Sequence, residues 1–152
     1  MRIAIFTILL FAASSARGSE YVVLFGTGLS QRYVPEAEPR CPADEICVDV
    51  VYRWKIRVEK IVSGNIQTKS VKAAMIQHTE YVNAHKRQAL FVLSRIADDE
   101  KRKLLGADYW IEEYQTPEVL YCLSHSGEKY GLEKAESIGF YSGTNCVFRV
   151  NE

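Results

Sequence analysis

The stretch that decides the fold is VVYRWKIRV, residues 50–58, in which apolar and polar side chains alternate. A period of two is the repeat of a β-strand, whose successive side chains point to opposite faces of the sheet. One face is apolar and is predicted to be core; it holds Val50, Tyr52, Trp54, Ile56 and Val58. The other face is predicted to be solvated and mostly basic; it holds Val51, Arg53, Lys55, Arg57 and Glu59.

Strand signals flank this stretch on both sides. Compact runs of β-branched and aromatic residues predict buried strands over 21–25 and 89–93. The first strand is expected to end at Gly26, and a loop that contains prolines is expected over 29–47. A second long strand is predicted over 67–81. Its inward face is expected to hold Val71, Ala73, Met75 and Gln77.

The second half of the chain adds one helix signal and more strands. Over residues 98–106, acidic side chains come first and basic ones follow, which favours a short helix that Gly106 ends. A strand over 109–114 is expected to turn Tyr109, Ile111 and Glu113 to one face. The remaining elements are predicted as a strand over 119–123, a helix over 128–137 and a closing hairpin over 140–150.

This order of elements predicts a mainly β fold. A strand, a long hairpin, another strand, a short helix and further strands are the layout of a small closed or half-closed barrel. We therefore expect an OB-like, partly closed five-stranded barrel with a short helix and a C-terminal β extension.

Residues 1–18 have the pattern of a secretory signal peptide. Arg2 gives a positive start, an apolar run follows, and small residues precede Ser19. We predict that residues 19–152 form a single domain that is secreted or periplasmic.

Net charge argues against nucleic acid as a partner, and the lengths of the apolar stretches argue against membrane insertion. The chain has 19 basic and 19 acidic residues, and loss of Arg2 and Arg17 with the leader leaves 17 against 19. A nucleic-acid binder usually carries a clear basic excess, so nucleic acid is not expected as the partner. No second apolar stretch is long enough to cross a bilayer, so membrane insertion is not expected either.

Four cysteines favour disulfides in an exported domain. Of the three possible connectivities we prefer Cys41–Cys47, which closes a tight loop, and Cys122–Cys146, which would tie the last strand to an earlier one. A metal site at Cys122 and His125 would lack the second close ligand pair of a structural zinc site. Neither a metal nor a cofactor is expected.

Three segments share a pattern with a known class of secreted domain: EYVVLFG (20–26), YRWKIRVEKIVSG (52–64) and ALFVL (89–93). They resemble the OB-fold domains of the netrin-module and tissue-inhibitor-of-metalloproteinase type, over residues 20–95. The resemblance implies the barrel. It does not extend to metalloproteinase inhibition, because those inhibitors begin the mature chain with a cysteine that reaches the target's zinc, whereas the first cysteine here is Cys41.

No catalytic motif is present in the sequence. His78-Thr79-Glu80 lacks the cysteine pair of zinc deaminases. Near His125, a disulfide would remove Cys122 as a nucleophile, and Ser124 has no identified orienting acid. Glu112 and Glu113 are neighbours on a predicted strand and are expected to face opposite ways. A hydrolase that uses His78, His125 or these carboxylates is the alternative to a binding protein, and a purely structural envelope or matrix protein is a third possibility.

The binding hypothesis depends on two surface features. Arg53, Lys55 and Arg57 form a basic stripe that suits an acidic protein or a polyanion such as a glycan. Trp110 is predicted to be exposed and to mark a binding patch. The sequence thus favours an exported, non-enzymatic binding module, of the inhibitor or immunity-factor kind.

Overall fold

The computed structural model describes residues 20–38, 49–77, 86–116, 120–122, 129–132 and 146–148. The strands are β1 (Tyr21–Tyr33), β2 (Val50–Ser63), β3 (Ser70–Gln77), β4 (Gln88–Arg95), β5 (Tyr109–Gln115), β6 (Leu120–Cys122) and β7 (Cys146–Phe148). A 3₁₀ turn at Pro35–Ala37 follows β1, and the helix α1 spans Asp99–Leu105 between β4 and β5. The mainly β class predicted from the sequence is confirmed.

Five strands close into a barrel in the order β1-β2-β3-β5-β4. β1 pairs in antiparallel fashion with β2 on one side and with β4 on the other. A short parallel contact between β3 and β5 completes the ring, with Ala73 opposite Tyr109 and Ala74 opposite Trp110. The OB-like barrel is thus confirmed, and it is closed where partial closure was expected.

The barrel interior is filled by alternate side chains of every strand, as the alternation at 50–58 predicts. Trp54 is fully buried at its centre. Its ring centroid lies 6.3 Å from that of Phe91 on β4 and 5.5 Å from that of Tyr114 on β5. One indole ring therefore contacts aromatic side chains from two other strands. The buried members of this cluster are Val22, Leu24, Tyr52, Trp54, Ile56, Ile66, Val71, Ala73, Ala89, Phe91, Leu93 and Ile111.

The first strand is longer than predicted. It does not end at Gly26 but continues to Tyr33, so the first part of the loop expected over 29–47 is strand. Register shifts at Phe25/Gly26 and Gly28/Ser30 bend β1 while it keeps its pairing with β2. Gly26 is needed for close approach, since a Cβ there would lie 2.6 Å from the carbonyl oxygen of Arg57.

A register shift also changes which way β5 presents its side chains. The shift occurs at Val92/Leu93 of β4, so Leu93 pairs with Ile111 while Val92 pairs with Glu113. Uninterrupted alternation predicted that Glu113 would share the inward face of Ile111. Because of the shift, Glu113 does not lie on that face. The extra residue of this bulge is Glu112.

Two further apolar clusters cover the outside of the barrel. The first packs the outer faces of β1, β2 and β4 against residues 129–132; its buried members are Val23, Phe25, Val62, Leu90, Val92, Tyr130 and Leu132. Residues 129–131 form a turn instead of the predicted helix, whose other residues lie outside the described part. Burial and a hydrogen bond donated to Glu113 raise the pKa of Tyr130.

The second outer cluster holds α1 against the barrel. Its buried members are Val34, Val51, Ala74, Ile96, Leu105 and Ala107. Asp98 caps α1, because its Oδ1 accepts hydrogen bonds from the backbone N–H of Glu100 (2.8 Å) and of Lys101 (3.0 Å). Gly106 ends the helix in the left-handed conformation at φ +58°, as predicted.

The small sheet of β6 and β7 places two cysteines directly opposite each other on neighbouring strands. Cys122 is the register partner of Cys146. Antiparallel partners have Cα atoms about 4.5–5.5 Å apart, which lies within the range that a disulfide spans. The Cys122–Cys146 bond stays a prediction, and Cys41 and Cys47 lie outside the described residues.

Replacement of Gly26 by alanine tests the tight contact between β1 and β2. We expect Gly26→Ala to lower the free energy of unfolding by about 2 kcal/mol, because the new methyl group meets a backbone carbonyl that cannot move alone. Chemical denaturation measures this. Leu29→Ala, on the same strand with an exposed side chain, is the control and should change stability by less than about 0.5 kcal/mol. An equal effect of both substitutions would contradict the packing described here.

Candidate functional site: a basic groove on the barrel wall

The outer face of β2 carries the predicted basic stripe, and neighbouring strands extend it. Lys55 and Arg57 are exposed and Arg53 is half-buried, whereas Val51 of the same face is buried under α1. Two cations come from the adjacent strands. Arg32 of β1 lies opposite Arg53, and Lys72 of β3 lies opposite Lys55.

These pairings place like charges directly across from each other. Cross-strand partners of the same sign destabilise a sheet, by tenths of a kcal/mol up to about 1 kcal/mol per pair. Within the part of the chain that the structure describes, Arg32, Lys55 and Lys72 are not in an ion pair. The fold therefore holds two repulsive pairs together without a carboxylate between them.

The same residues form a concavity on the barrel wall, which we call the basic groove. It has a volume of about 250 Å³ and is lined by Ser30, Arg32, Arg53, Trp54, Lys55 and Lys72. Polar contacts available to a ligand there come from one hydroxyl and four cationic side chains. This arrangement attracts an anion.

Two of the predicted cations have neighbours that fix their position. The Arg53 guanidinium lies against Gly106 at the C-terminal end of α1. A cation at this end is favourable because the helix dipole is negative there. Arg57 lies 3.2 Å from a carboxylate oxygen of Glu59. Arg57 is thus partly neutralised, whereas Lys55 between them is not.

Glu59 is the acidic counterpart at the edge of the basic face. Its carboxylate accepts hydrogen bonds from Thr27 (2.6 Å), Arg57 (3.2 Å) and Gln88. Partial burial alone would raise the pKa of Glu59, but these hydrogen bonds outweigh burial and lower it below the ordinary value. Glu59 is therefore ionised at neutral pH and joins β1, β2 and β4.

Trp110 does not have the exposure that was predicted. It is half-buried, packs against the cluster under α1, and has the Lys101 Nζ 4.8 Å from its ring centroid. Through Ala74 it lies in the same row as Arg53 across the sheet. It borders the basic face without presenting a free aromatic surface, because α1 covers it.

The carboxylates considered for catalysis each have a partner already. Glu112 accepts a hydrogen bond from Ser94 (2.5 Å), and Glu113 accepts one from Tyr130. His78 and His125 lie outside the described residues. Among the residues that the structure does describe, no three His, Cys, Asp or Glu side chains are grouped to hold a metal ion. No helix in the described part of the chain is both long enough and apolar enough to span a bilayer.

Sequence reasoning missed Arg32 and Lys72. The outward orientation of Lys72 could have been inferred, since Val71 and Ala73 on either side of it are expected to face inward. Arg32 gave no such signal, because β1 was expected to end before it. The comparisons add no identification: no protein family, curated protein or solved structure matches this chain.

The Glu59 network predicts a pH-dependent loss of stability. We expect Glu59→Gln to lower the free energy of unfolding by about 1 kcal/mol at pH 7, a value suited to a partly exposed group. Because the folded pKa lies below the unfolded one, the contribution is present above the unfolded pKa and is lost as pH falls through the folded pKa. Denaturation at several pH values measures this, with the exposed Glu36→Gln as control. A difference that persists in strong acid would contradict the ionised network.

The contact between Arg53 and Gly106 predicts coupled substitutions. Gly106→Ala should destabilise the protein by about 1 kcal/mol, mainly because alanine is strained in the left-handed region. The Arg53 guanidinium, at the end of a flexible side chain, must also move away from the new methyl group and leave the helix end. In an Arg53→Ala background we therefore expect the effect to fall, by no more than about 0.5 kcal/mol. A double-mutant cycle by chemical denaturation gives the coupling. An unchanged effect of Gly106→Ala would mean that Arg53 does not lie on the helix end.

Proposed function

We propose that this protein is an exported, non-enzymatic binding module that holds an anionic protein or glycan on the outer face of β1, β2 and β3. The observation that carries the proposal is the basic groove, in which Arg32 lies opposite Arg53 and Lys55 lies opposite Lys72. Repulsive pairs of this kind lower stability. An anionic partner would neutralise both.

Four other features support the proposal. The pattern of residues 1–18 favours export, and the sequence carries no catalytic motif. The carboxylates of β5 are engaged in hydrogen bonds. In OB-folds the face of the second and third strands is a common ligand surface, which is an analogy of fold and not of sequence.

A single charge reversal tests the proposal, because it moves stability and binding in opposite directions. Lys55→Glu places a carboxylate opposite Lys72 and next to the other cations. We expect stability to rise by about 0.5 kcal/mol, while affinity for poly-L-glutamate or heparin falls at least about fivefold at low salt. Thermal unfolding and biolayer interferometry measure the two effects. A misfolded variant could not give both.

Arg95→Glu is the matched control. Arg95 is exposed on β4, which is not a neighbour of β2 in the barrel, and its reversal changes the net charge equally. It should retain the affinity of the unaltered protein for the same polyanions. The proposal would be overturned if neither polyanion bound, or if Lys55→Glu and Arg95→Glu weakened binding alike.

A further inference from the structure

The basic groove lies along a regular row of cations on β2. Along β2, the outward residues Arg53, Lys55 and Arg57 succeed one another at every second position. The rise of an antiparallel strand is about 3.4 Å per residue, so their Cα atoms repeat at about 6.8 Å. The ligand that fits such a row has acidic groups at the same interval.

An extended peptide meets this condition. Its side chains also alternate, and those on one face repeat at the same spacing of about 6.8 Å. Acidic residues at positions i, i+2 and i+4 would each lie over one cation of β2. Acidic residues that are consecutive in sequence would point alternately toward and away from the barrel.

The composition of the groove separates a peptide from a nucleic acid. A nucleic-acid base is commonly held by stacking on an exposed aromatic side chain. Among the described residues that line the groove, the single aromatic one is Trp54, which is fully buried. The ring of Trp110, beside the groove, is occupied by Lys101 and by the cluster under α1.

The size of the groove points the same way. Its volume of about 250 Å³ lies below the ~300–1,000 Å³ of typical small-molecule pockets. It is suited to one acidic side chain of a larger partner. Arg53 lines the groove beside Lys55, and Arg57, which also contacts Glu59, lies at the next outward position of β2.

We infer that the basic groove binds an extended acidic segment of a partner protein, with Asp or Glu at alternate positions over Arg53, Lys55 and Arg57. The inference rests on the proposed anion-binding function and adds the class of partner. Lys55, which has no ion pair among the described residues, takes the central carboxylate. Arg32 and Lys72 flank it from the neighbouring strands.

Two synthetic peptides of one composition test the inference. One carries three glutamates at alternate positions among serines, and the other carries the same glutamates consecutively. The full chain, expressed in an exporting host, is titrated with each labelled peptide by fluorescence anisotropy at low salt. We expect the alternating peptide to bind about fivefold more tightly, since one more charge pair forms. Lys55→Glu should abolish this preference and Arg95→Glu should keep it.

A heparin oligosaccharide is titrated in parallel to separate the two levels of the argument. Equal affinity for both peptides, or binding of the oligosaccharide alone, would overturn the peptide inference and leave the anion-binding function standing. Absence of binding to all three probes would overturn both.

Discussion

Alternation along β2 is the constraint on which the rest of the structure depends. Because side chains of a strand point alternately inward and outward, burying Tyr52, Trp54 and Ile56 obliges Arg53, Lys55 and Arg57 to lie on the barrel wall. A slip of one residue would place three cations in the apolar interior. The apolar core therefore fixes the position of the surface charge.

The outer face of the barrel shows how this charge is managed. Arg53 lies on the end of α1, and Arg57 lies beside Glu59, so two of the three cations of the basic stripe have local compensation. Lys55 has none among the described residues and is set opposite Lys72. Stability alone would favour a carboxylate at either position. The like-charged pairs are the feature on which the proposed anion-binding function rests.

Much of the fold could be predicted from local patterns. The alternation of residues 50–58, the acidic start of α1 and Gly106 at its end each act within a few residues, and each is confirmed. The extension of β1 beyond Gly26 and the inversion at Glu113 depend on register shifts between strands that are far apart in sequence. The predicted exposure of Trp110 was wrong because its burial depends on where α1 packs, which local patterns do not show. Arg32 reaches the groove only because β1 extends past its glycines.

The order of strands in the barrel sets the order in which the chain can fold. β5 is inserted between β3 and β4, so the ring cannot close until the residues up to Gln115 are available. A chain that emerges from its N-terminus can form the hairpin of β2 and β3 early, but Trp54 then has neither Phe91 nor Tyr114 against it. Until the last strand arrives, the apolar face of this hairpin is open to water. Closure of the barrel, and with it the burial of Trp54, is therefore a late event in folding.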